Sequence, residues 1–113
     1  MEVALSARLD IAAVLEWSDH RFGPAARARY ARLIERGMQD ISAAEGPPMR
    51  RHVDAPGGDF RILHLKYCRQ QGADRVARPR HMLVYRVVSP ERILLLRLLH
   101  DTMHLPSALS EEE

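Results

Sequence analysis

Residues 92–100 read RILLLRLLH, nine residues of which only Arg92, Arg97 and His100 are not aliphatic. A membrane-spanning helix needs about 20 apolar residues, so this run is too short to cross a bilayer. At strand parity Leu94, Leu96 and Leu98 fall on one face, and Ile93, Leu95, Arg97 and Leu99 on the other. A strand that is apolar on both faces belongs inside a sheet with something packed against it. The rest of the chain must supply that sheet and its cover.

Two more runs fit. FRILHLKYC (60–68) and HMLVYRVVS (81–89) have strand length and are rich in branched and aliphatic residues. Ser89, Pro90 and Glu91 make a short turn between the last two runs, whereas RQQGADRVARPR (69–80) makes a longer, mobile connection. Leu63, Leu65 and Tyr67 share a face with Leu83, Tyr85 and Val87 in the next strand, and that face is predicted to lie under the helices with Leu94, Leu96 and Leu98. The opposite face holds His64, Lys66, Arg86 and Arg97 among Ile62, Met82, Val84, Ile93, Leu95 and Leu99. It is apolar enough to predict a partner, or a fold of the chain over it.

The first half of the chain has a different period. After a short apolar start, EVAL, Ser6 stands where a helix cap is expected, and Ile11, Val14, Leu15, Ser18 and Phe22 follow at helical spacing. Gly23 and Pro24 close one helix and open the next, which carries Tyr30, Leu33, Ile34, Met38 and Ile41 on one stripe. The second helix is expected to end at Gly46 and Pro47–Pro48, and GPPMRRHVDAPGGD reads as a loop. The expected architecture is α+β: an N-terminal strand, then an α-helical hairpin on one face of a mostly antiparallel sheet completed by three C-terminal strands. At 113 residues the chain is expected to form a single domain, 1–113.

Composition excludes several functions. The single cysteine, Cys68, allows no internal disulfide and no cysteine-rich metal site. The pair His100-x-x-x-His104 straddles the end of a strand, where helical i,i+4 geometry is not expected, so no metal and no cofactor is predicted. No secretory leader is evident in MEVALSARLD, and a cytoplasmic protein without membrane contact is expected. The basic residues are sixteen arginines and one lysine, Lys66, against fifteen acids. That balance is too mild to predict direct nucleic-acid binding.

Taken in order, these elements resemble the RelE/ParE superfamily of bacterial toxins, and within it the ParE branch. The resemblance rests on Phe22–Gly23, Ala28 and Tyr30 at the helix join, on His81, Tyr85 and Arg86 in the middle strand, and on Leu99–His100 with Met103 near the end. Thr102 and His104 depart from the pattern, which commonly has a basic residue and an acid there, and the 69–80 connection is longer than usual. The resemblance implies the toxin of a type II toxin-antitoxin system, acting without catalysis on DNA gyrase and silenced by a ParD-like, ribbon-helix-helix antitoxin. It implies antitoxin contacts on the open sheet face at Ile62, His64, Met82, Val84, Arg86, Ile93, Leu95 and Arg97. Target contacts are then expected on an exposed edge at His100, Met103, His104 and Leu105. The RelE branch implies the alternative, a ribosome-dependent mRNA endonuclease, with His64, Lys66, Arg86 and Arg97 as its candidate catalytic residues. Cleavage beside a 2′-hydroxyl needs a base, an acid and cations for the phosphate, and these residue types could supply them.

Overall fold

The computed structural model describes residues 1–43, 46, 51–55, 58–70, 72, 75–103 and 105, with only the backbone of 54–55 and 58–59. The elements run β1 (Glu2–Val3), α1 (Leu5–Phe22), α2 (Pro24–Ser42), β2 (Arg51–Ala55), β3 (Gly58–His64), β4 (His81–Ser89) and β5 (Arg92–His100). They form a five-stranded sheet in the order β1-β5-β4-β3-β2, in which β1 pairs parallel to β5 and the remaining pairs are antiparallel. The α+β expectation holds. Among the described residues no helix is long and apolar enough to cross a membrane.

The helical hairpin turns at Gly23, whose φ of 95° is one that a side chain would oppose. Pro24 then starts α2 at a position where its missing N–H costs nothing. Tyr30, Leu33, Ile34, Gly37 and Ile41 form the buried stripe of α2. They meet Leu63, Leu65, Leu83, Tyr85, Leu95 and Leu98 from the sheet. Gly37 allows a close approach: a Cβ built there would stand 2.7 Å from Leu83 Cδ1 and 3.0 Å from Leu65 Cδ2.

Four local expectations need correction. The cap of α1 is Ala4, not Ser6; no side chain caps the helix, and the Ala4 N–H instead bonds to the Leu95 carbonyl at 2.9 Å, so strand pairing sets the start. Helix α2 ends at Ser42, before Gly46. Part of the expected loop is strand β2, paired with β3 from Arg51↔Ile62 to Ala55↔Gly58. Finally β3 stops at His64, and a 3₁₀ turn over Leu65–Tyr67 puts Lys66 and Tyr67 into solvent instead of continuing the strand.

The largest correction concerns β5. Val84 pairs with Arg97 but Tyr85 pairs with Leu95, so Leu96 is an extra residue, a β-bulge. One inserted residue reverses the parity of everything before it. Ile93 and Leu95 therefore face the helices with Leu98, and Leu96 joins Leu99 on the opposite side. The opposite face is also less bare than expected. Phe60, Ile62, Met82, Val84 and Leu99 are each at most 4% exposed, and Leu105 packs on them with Val53 and Leu96.

Candidate functional site

Three strands carry a histidine at the same end of the sheet. His64 ends β3, His81 begins β4 and His100 ends β5; the antiparallel register sets His64 opposite Met82 and His81 opposite His100. Asp101 follows immediately, its N–H bonded to the Arg80 carbonyl at 2.8 Å. The pairing of the strands alone thus assembles three imidazoles, a carboxylate and a guanidinium.

Backbone donors fix which nitrogen accepts in His64 and His100. His64 Nδ1 accepts from the Lys66 N–H at 3.1 Å, so its Nε2–H donates to Asp101 Oδ2 at 3.0 Å. Arg80 grips the same carboxylate through Nε and Nη2, at 3.0 and 2.9 Å, in a bidentate fork. The backbone N–H of Arg80 donates to the Tyr30 hydroxyl at 3.3 Å, and the same hydroxyl shares a hydrogen bond with His81 Nδ1 at 2.5 Å. His100 Nδ1 accepts from the Thr102 N–H and lies 2.8 Å from the Thr102 hydroxyl, and its ring meets the His81 ring edge-on with centroids 5.2 Å apart.

Electrostatics follow from this wiring. Burial, reinforced by neighbouring His100, holds His81 down to about 4, so its ring is neutral at physiological pH. The hydrogen bonds from Arg80 and His64 hold the Asp101 carboxyl well below the usual carboxylate range. Burial raises the Tyr30 hydroxyl. At neutral pH the centre is a charged Arg80–Asp101 pair beside a neutral His81.

A cavity of about 610 Å³ opens next to this cluster, between the helical join and residues 75–80. Trp17 and Phe22 pack edge-to-face at 5.8 Å along one wall. The facing wall is fastened by Gln70, whose side chain both donates to the Val76 carbonyl at 3.0 Å and accepts from its N–H at 2.8 Å. The described part of a connection expected to be mobile is thus tied at its base.

The residues expected on the open face divide. Ile62, Met82 and Val84 do lie there, as does Arg86, whose guanidinium sits 4.8 Å above the Phe60 ring. Ile93 and Leu95 do not; the Leu96 bulge turns both into the helix-side core. Arg97 bonds to Asp10 of α1 at 2.6 Å, and the same carboxylate takes the Leu98 N–H at 3.1 Å. His64 is engaged with Asp101, and Lys66 lies over the Tyr67 ring. Of the four candidate nuclease residues, His64 and Lys66 adjoin and both lie against Tyr67, whereas Arg86 and Arg97 contact Phe60 and Asp10. On the expected target edge His100 joins the strand-end cluster and Met103 is 45% exposed, but Leu105 is buried against the sheet, not exposed. His104 lies outside the described residues.

Sequence reasoning did not single out Tyr30, Arg80, His81 and Asp101 as a site. A signal was present: one strand run ends FRILH, the next begins HMLVY and the last ends RLLH, so an antiparallel meander must bring the three histidines together. Among the described residues no three His, Cys, Asp or Glu side chains are placed to hold a metal ion.

Comparison with known proteins adds one match. No curated protein and no solved structure matches the chain significantly. The family model described as the ParE toxin of the type II toxin-antitoxin system, parDE, matches residues 2–105, from the first strand to the buried Leu105. With nearly its whole length matched, and with the strand–hairpin–sheet order in place, the chain belongs to the ParE family of type II toxins.

Proposed function

We propose that this toxin acts by inhibiting DNA gyrase and is neutralised by a ParD-like antitoxin that docks on the sheet face opposite the helices. Membership of the ParE family supports the toxin role and the existence of an antitoxin partner. The observation that carries the docking site is the floor formed by Phe60, Ile62, Met82, Val84 and Leu99, on which Leu105 is packed from beyond the last strand. An antitoxin segment that sets an apolar side chain in the place of Leu105, with carboxylates toward Arg86 on Phe60, would occupy this floor without rearranging the core. Ordering such a segment is costly, and the apolar area it buries offsets that cost.

Expression of the chain without an antitoxin tests the reading. Growth arrest with filamentation and a DNA-damage response, together with loss of supercoiling by purified gyrase, is the expected result. Codon-positioned mRNA cuts with intact supercoiling would instead assign the ribosome-dependent nuclease.

A further inference from the structure

The cavity beside His81 is used by neither the family assignment nor the docking face, which lies on the other side of the sheet. Its size falls within the roughly 300–1,000 Å³ of small-molecule sites, too small for a folded partner. Its chemistry has two parts. One wall offers the flat rings of Trp17 and Phe22, with Trp17 53% exposed and so available for stacking. The other part is cationic: Arg29, Arg75 and Arg78 line the cavity, and among the described residues no carboxylate does.

Arg75 and Arg78 make no hydrogen bond or ion pair among the described residues, although this chain pairs several of its other arginines with acids. The inner end is polar, since Tyr30 and His81, joined by their own hydrogen bond, also line the cavity. The first turn of α2, which has no side-chain cap, contributes Ala26 to the lining and the positive end of a helix dipole.

An apolar ring surface next to the exposed Arg75 and Arg78 matches a ligand that joins an aromatic ring to phosphate. We propose that this cavity binds a nucleoside 5′-phosphate, its base against Trp17 and its phosphates among Arg29, Arg75 and Arg78. The same chemistry is offered by a free nucleotide and by the phosphorylated end of a nucleic-acid strand.

Trp17 is the protein's one tryptophan, so its fluorescence reports occupancy directly. Titration of the full chain with ADP should give a saturable change, confirmed by calorimetry. Adenosine, which lacks the phosphates, should bind at least about tenfold more weakly. An Arg75→Ala/Arg78→Ala double variant should lose at least about tenfold in ADP affinity while keeping its circular dichroism, because both side chains are exposed. A 5′-phosphorylated trinucleotide binding more tightly than ADP assigns the strand end; the reverse order assigns the free nucleotide. No saturable signal by either method at millimolar ADP overturns the proposal. So does equal binding of adenosine and ADP, an unchanged double variant, or binding of a glutamate-rich peptide where ADP fails.

Discussion

The two helices of the hairpin have nearly equal length and opposite habits. Helix α2 buries five residues in one stripe, whereas α1 buries only Ala7 and Ser18 and leaves Leu5, Leu9, Trp17 and Phe22 more than half exposed. Ile11, Val14 and Leu15 of α1 are partly buried against the same core, so the helix is apolar on more than one side. Each helix also has a polar tie to the sheet through a side chain of its own: Tyr30 of α2 holds His81 and the Arg80 N–H, and Asp10 of α1 holds Arg97 and the Leu98 N–H. The contrast teaches that α2 organises the fold. Helix α1 is held along β5 and keeps apolar side chains at the surface, two of them in the cavity wall.

The contrast can be broken most severely from the α2 side. Leu33→Ala should cost about 2–5 kcal/mol, enough to unfold much of a small domain, as read by urea denaturation. The next effect tests the polar tie of α2 through pH. The folded-state value of His81, about 4, lies below its ordinary 6.5. Its contribution is therefore complete above pH 6.5, declines as the pH falls and is lost by about pH 4. The gap is worth roughly 3 kcal/mol. Asp101 does not blur this window, because its carboxyl is depressed and its contribution is lost only at more acidic pH. A His81→Gln variant should show a flatter stability profile between pH 7 and pH 4.

Smaller effects sharpen the comparison. Gly37→Ala would push a methyl against Leu83 and Leu65, with an expected cost of about 1–3 kcal/mol in the same denaturation assay. Asp10→Ala removes the tie of α1 and leaves a largely buried Arg97 and the Leu98 N–H without that carboxylate; thermal melting should register a loss of about 1–3 kcal/mol. Leu9→Ala should stay within about 0.5 kcal/mol, since the side chain already faces water. A large loss at Leu9 would show that α1 is packed in solution in a way the isolated chain does not display.

How much of this was legible in the residues depends on whether a local rule survived. The stripe of α2 was legible because Tyr30, Leu33, Ile34 and Ile41 keep strict helical spacing. Strand β2 was not, because Arg51, His52 and Asp54 carry no apolar alternation; β2 exists through its pairing with β3. The faces of β5 were misread because every residue from 93 to 96 is aliphatic, so sequence cannot locate an inserted residue in a uniform run. The strand-end histidines were individually visible, but their partner Tyr30 comes from a helix some fifty positions earlier. The cavity depends on that same long-range closure.

The parallel pairing of β1 with β5 joins the two extremes of the described chain, Glu2 to Leu94 and Val3 to Leu95. Strand β5, second from the edge, is made last, yet β1, β4 and the Asp10 tie of α1 all depend on it. During synthesis the helical hairpin emerges first with no β5 to rest on, its apolar stripes waiting for a strand still to be translated. Pairings between such distant residues are slow to close. The ParE fold of this chain is therefore completed only after β5 has left the ribosome, which gives a chaperone or a waiting antitoxin an interval in which to meet the toxin before its sheet is closed.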